Sequence, residues 1–231
     1  MQAGAAGMVL GALLCLGAAK AVFQVGFPAG PAPSAKGLTI VEEPGRVVMR
    51  WSGSVGPEML ERLDAAFSQR DGDHRDILIS LHSGGGNLQQ GARVIDLIRK
   101  MQRTHTVDTV VDGKSYCASM CVPIFMAGTR RSADRKARFM FHEVSFDRRA
   151  REEIELRAKM KQLNVGADME KKIEKMRIAA ATDYFFERYL EPNGVDPKWI
   201  ADMRKAIPGR DVWRSAEQLV AQGSHIVDAI D

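Results

Sequence analysis

Ser119 stands in the run SYCASMC, residues 115–121, with Cys117 and Cys121 two places to either side. The chain has only 3 cysteines, so two of them flank this one serine. A zinc site needs about four ligands, and no C-x-x-C partner exists to complete one. No metal is expected here. A thioredoxin-type pair is spaced C-x-x-C, and this one is C-x-x-x-C. A nucleophile turn is usually written G-x-S-x-G, because the strained backbone tolerates little bulk. Cys117 and Cys121 occupy the two outer places and are themselves small. Ser119 also suits a plain helix cap. The cysteines carry two readings of their own. A disulfide needs Cα atoms within roughly 7 Å, which one helical turn provides. In an oxidising compartment the pair bonds, bracing the turn, and reduction lowers activity. Otherwise it is two free, buried, small residues.

A serine hydroxyl attacks only when a base takes its proton, and the resulting oxyanion needs donors. HSGGGN, residues 82–87, places three glycines between an apolar run and a helical pattern. Such a loop lets backbone N–H groups approach a ligand, as a phosphate cradle or as an oxyanion hole. A tight strand–helix turn explains it equally. The phosphate-loop and dinucleotide glycine patterns are absent. The bases on offer are His74, His82, His105, His142 and His225. His74 lies in a polar turn, His105 opens a strand, and His225 reads as surface. His82 and His142 each follow an apolar run, as Ser119 does. In an open parallel sheet, sites form at the carboxyl ends of strands, so these three can meet.

The elements that must deliver them follow from hydrophobic spacing. Two short strands are expected in 38–51, with a Pro-Gly turn between them. A helix follows over 56–69, where Met59, Leu60, Leu63 and Phe67 recur at helical spacing. Strands are expected at 76–81, 104–113 and 137–144, with helices after HSGGGN and after SYCASMC. This alternation over 46–144 predicts a parallel sheet with crossover helices. Residues 148–190 read as a long charged helical stretch broken at Gly166. Ile154, Met160, Leu163, Met169, Ile173 and Met176 line one side, as core or as an oligomer contact. The C-terminal RDVWRSAEQLVAQGSHIVDAI reads as turn, helix, turn and short strand.

The whole chain of 231 residues suffices for one α/β domain. Lys+Arg 33 against Asp+Glu 29 leaves a net charge of +4, too mild for a nucleic-acid partner without a basic, aromatic-rich stripe. The first 35 residues contain one charge, Lys20, and are rich in Ala, Leu and Gly. Residues 1–26 read as a signal peptide or N-terminal membrane anchor, and 27–36 as a Pro/Gly/Ala linker. The folded domain is then 37–231. The chain is then expected to be exported, or anchored in a membrane if the leader is retained.

Strand–GGG–helix, strand–Ser–helix and strand–His, in that order, resemble the Clp-type serine peptidases of the ClpP/crotonase superfamily. The resemblance covers roughly residues 46–144 and 208–230. VVMRWSGSVGPEMLERL, ISLHSGGGNLQQGARVIDLI, YCASMC, FMFHEV and GRDVWRSAEQLVAQGSHIVD carry it. Gly84 stands where the family commonly has proline. The resemblance implies a ClpP/crotonase-like fold of stacked ββα units with a parallel sheet, the 148–190 helical region being added for insertion or oligomerisation. It implies Ser119 as nucleophile, His142 as general base and Asp211 as the carboxylate that orients the imidazole. The backbone N–H groups of Gly86 and Met120 would form the oxyanion hole. Asp183, Glu187 and Asp196 compete with Asp211 for the third role. The implied activity is that of an exported, ATP-independent serine peptidase without cofactor, acting on peptides or proteins and assembling as a homo-oligomer. A catalytically silent peptide-binding or assembly module is the alternative. A crotonase-like acyl-CoA enzyme would use the same loops without a triad, but export removes it from its coenzyme pool. A Ser–Lys dyad with Lys114 is made unnecessary by His142 and Asp211.

Overall fold

The structure, a computed structural model, describes residues 36–70, 72–146 and 151–230. The leader expected at 1–26 and nearly all of the linker at 27–36 lie outside the described residues. Among the described residues no helix is long and apolar enough to cross a membrane.

Six strands form the main sheet in the order β1 (Gly37–Glu42), β2 (Arg46–Ser52), β3 (Asp76–His82), β4 (Val107–Val111), β6 (Arg131–Ala133) and β9 (Ala229–Ile230). Only the β1–β2 hairpin is antiparallel; every other pair in this sheet is parallel. The second sheet has three strands, β5 (Tyr116–Ala118), β7 (Arg138–Phe141) and β8 (Val212–Ser215). β5 runs parallel to β7, and β8 antiparallel to it. An isolated bridge between Ser83 and Cys117 joins the two sheets where β3 ends.

Parallel strands need crossovers, and helices α1 (Pro57–Ser68), α2 (Leu88–Met101) and α3 (Cys121–Met126) supply them. Proline at the first turn starts α1, where its missing N–H costs nothing. Asn87 caps α2, its side chain accepting from the Gln90 N–H, while Arg99 and Lys100 complement the other end. Met59, Leu63 and Phe67 of α1 and Val94, Ile95 and Ile98 of α2 pack on Val47, Met49, Ile77 and Ile79 in one contiguous core. All of α3 is buried, with Phe125 stacked edge-on against Phe139 at 5.2 Å.

The stretch from 151 onward is a pair of helices, α4 (Arg151–Gln162) and α5 (Ala167–Phe185), with Gly166 as the N-cap between them. A π-helical turn, Phe186–Leu190, continues α5. The expected apolar stripe does not enter the core of this chain: Ile154, Leu163, Met169 and Met176 are each more than half exposed. Arg177 joins the pair to Glu153 and stacks 4.5 Å above the Phe146 ring.

Four elements escape the sequence reading. β5 lies inside the run read as a turn, and RDVW contributes β8 where a turn was expected. β6 and helix α6 (Pro197–Ala206) were not anticipated. The last helix, α7 (Ala216–Ala221), carries a capping box between Ser215 and Gln218.

Candidate active site

Ser119 leaves β5 and precedes α3, and its backbone is left-handed at φ 53°. For a residue with a Cβ this conformation costs roughly 1–2 kcal/mol, so its surroundings must impose it. They do so on four sides. The Ser119 N–H donates to the Met140 carbonyl at 3.0 Å, and the Ala118 N–H to the Ser83 carbonyl at 2.9 Å. The Ser119 carbonyl accepts from the Val122 N–H at 2.9 Å. Cys117 and Cys121 are joined by a disulfide that closes over the serine, their Cα atoms 5.2 Å apart. Both cysteines are fully buried.

The glycine loop is pressed against this turn. Gly85 is left-handed at φ 86°, and a Cβ on it would lie 2.6 Å from the Ala118 carbonyl oxygen and 3.0 Å from the Met120 nitrogen. Gly86 is held beside Val55, because the Val55 N–H donates to Gly85 and the Val55 carbonyl accepts from Asn87. The Ser83 hydroxyl, accepting from the Gly85 N–H at 3.1 Å, pins the start of the loop. Among the described residues, the Gly86 and Met120 N–H groups donate to no acceptor. Met120 itself is fixed from below. Its side chain is fully buried and packs over Gly91 of α2, where a Cβ would meet its Cγ at 2.3 Å. Burying such a chain is worth roughly 1.5–3 kcal/mol.

An open cleft lies in front of Ser119. His142 lines it together with Gly86, and the apolar wall is Leu88, Met140, Phe141, Val144, Phe185 and Phe186. The parallel pairing Ala118↔Met140 brings the ends of β5 and β7 together, which is how Ser119 and His142 reach one cleft. The antiparallel pairing Phe141↔Val212 ends the β7–β8 ladder, so His142 and Asp211 are the next residues on facing strands. Among the described residues, neither the His142 ring nor the Asp211 carboxylate makes a hydrogen bond. Asp211 is solvent-exposed.

The rival carboxylates are engaged elsewhere. Asp196 caps α6 by accepting from the Trp199 N–H at 2.8 Å. Asp183 and Glu187 face Arg204 at 3.4 and 3.9 Å. His74 and His105 line a separate cavity with Lys100 and Thr104. His82 ends β3 and meets the Tyr116 ring edge-on at 4.3 Å. Burial pushes its imidazole below the ordinary histidine range. Lys114 is exposed.

Glu143 and Thr182 are not among the residues singled out from sequence. The Glu143 carboxylate accepts from the Gly209 N–H at 2.7 Å, and the Thr182 hydroxyl from the Val144 N–H at 2.9 Å. Both hold the chain just after His142. No local motif marks them, because their partners lie 66 and 38 residues away.

The arrangement sets a hydroxyl on a strained turn, backbone N–H groups of the next residue, Met120, and of Gly86 on the facing loop that find no acceptor among the described residues, and an imidazole in the same cleft as the hydroxyl. That is the equipment of acyl transfer through a serine. No curated protein matches the chain. Residues 60–187 match the family described as Clp protease, a span that includes Ser119 and His142 and ends before Asp211. Its mixed α/β architecture with a largely parallel sheet is the ClpP-like fold, and the chain belongs to the Clp protease family.

Proposed function

We propose that the protein is an exported, ATP-independent serine peptidase that cleaves peptide bonds through an acyl-enzyme on Ser119. The observation that carries the reading is Ser119 itself, a non-glycine residue held left-handed against the glycine loop in a cleft shared with His142. His142 takes the hydroxyl proton as Ser119 attacks the carbonyl carbon, then returns it to the leaving amine. Asp211 fixes the imidazole from the facing strand. The Gly86 and Met120 N–H groups receive the oxyanion. Water repeats the sequence to release the acid.

Export is supported by the apolar first 35 residues with a single charge, and by a buried disulfide, a bond that persists in oxidising compartments. Residues 1–26 then act as leader or inner-membrane anchor, and 37–231 as the ClpP-like domain. Assembly into a homo-oligomer is supported by the exposed Ile154, Leu163, Met169 and Met176 on α4 and α5.

The decisive experiment is labelling with a fluorophosphonate probe. The wild type should label and Ser119→Ala should not, with circular dichroism unchanged. Equal labelling of both would reject Ser119 as nucleophile. A second reading, a silent peptide-binding or assembly module, is favoured by the lack, among the described residues, of a hydrogen bond at the His142 ring. It predicts a wild type that neither labels nor hydrolyses casein.

A further inference from the structure

We infer that Glu143 is a positioning residue that holds His142 and Asp211 opposite one another; the inference rests on the peptidase reading above. The β7–β8 ladder stops at Phe141 and Val212, one residue short of both groups. Among the described residues no backbone bond joins His142 to Asp211. Among the described residues the exposed Asp211 has no side-chain partner to fix it, so its place is set by the backbone that leads to it. That backbone is the turn at Gly209, left-handed at φ 71°.

Glu143 closes the gap. It follows His142 directly, and its Oε2 accepts from the Gly209 N–H, two residues before Asp211. The bond therefore ties the His142 segment to the Asp211 segment just beyond the point where pairing ends. A bond from a backbone N–H to a carboxylate is roughly twice as strong as a neutral one. On the other side, Thr182 holds Val144 and so anchors the same segment to α5. Thr182 fixes where the histidine segment lies, and Glu143 fixes what the loop does relative to it. Gly209 meets no neighbour that a Cβ would touch, so crowding does not hold the turn in place.

The test compares the rate of fluorophosphonate labelling across pH in the full chain. Glu143→Ala should slow labelling ten- to a hundredfold, about the effect of a small misplacement of a catalytic group. Glu143→Gln, whose amide oxygen can accept the same bond, should restore most of the rate. In an Asp211→Ala background, Glu143→Ala should add little, because its effect passes through Asp211. A wild-type rate in Glu143→Ala overturns the inference, as does an undiminished additional loss in the Asp211→Ala background. An unlabelled wild type instead rejects the peptidase reading and with it the catalytic role. The clasp is then read on its own by amide exchange at Gly209, which Glu143→Ala must accelerate; unchanged protection there shows that no clasp exists.

Discussion

Gly85 and Ser119 lie so close that a methyl group on the glycine would stand 2.7 Å from the serine Cβ. Real side chains do not approach one another so closely, so the glycine loop and the serine turn can coexist only while residue 85 has no side chain. Gly85→Ala should push the loop off the turn. It combines left-handed strain with overpacking, each worth roughly 1–3 kcal/mol. Fluorophosphonate labelling should fall at least a hundredfold and the urea midpoint should drop. Gly84→Ala is the control, since its Cβ would touch only Tyr116, at 4.0 Å. Equal losses from the two variants would show that the contact is not what matters.

The Cys117–Cys121 bond predicts a dependence on redox state. Both sulfurs are buried, so reduction by a dithiol in the native state should be slow and should speed up in mild urea. Once the bond is reduced, or replaced in Cys117→Ser/Cys121→Ser, the turn loses one of its restraints. Labelling should slow about tenfold or more, while circular dichroism is retained, because the remaining hydrogen bonds still shape β5 and α3. Free-thiol counting alongside the labelling rate checks this; a fully reduced protein that labels at the original rate refutes it.

His82 gives stability a pH dependence near the site. Burial holds its folded pKa below the ordinary histidine value of about 6.5. Between those two values the unfolded chain binds the extra proton and the folded chain does not, so stability falls as pH drops from about 6.5 through the folded pKa. Urea midpoints should be lower at pH 5 than at pH 7. The difference should shrink in His82→Phe, which keeps the aromatic contact with Tyr116 and cannot titrate. A slope unchanged in that variant would assign the effect to other groups.

Arg177 should hold α4 against α5. It bonds to the buried Glu153 and keeps that carboxyl below the usual range. The folded pKa is the lower one, so the stabilisation is complete above about 4.5 and is lost as pH falls through the folded value. Arg177→Ala should cost roughly 1–3 kcal/mol locally. Amide exchange should quicken in Arg151–Gln162 and leave β2 and β3 unaffected. Uniform acceleration throughout the chain would mean that the helix pair and the sheet unfold as one.

The parts of the fold read from sequence are those with long apolar runs. DILISL before three glycines announces β3 and its loop, and ARFMF announces β7, because a central strand covered on its faces must be apolar throughout. β5, β6 and β8 have three or four residues, too few for a period to show. Helix α6 did carry a signal, Asp196 followed by Pro197, which is a cap and a first-turn proline. Ser119 and His142 were legible through the turns and strands that bear them. The pairing of His142 with Asp211 was legible only by resemblance, since it depends on a strand, β8, that local pattern did not reveal. Glu143 was invisible for the same reason: its partner is defined by the fold.

The left-handed backbone at Ser119 also bears on which residues the position could hold. Glycine adopts that conformation without the Cβ clash, so Ser119→Gly should raise the unfolding free energy by about 1 kcal/mol while abolishing labelling. A more stable chain is thus one substitution away, and it lacks the hydroxyl. The left-handed serine thus holds its hydroxyl in the cleft at a cost in stability that glycine would not carry.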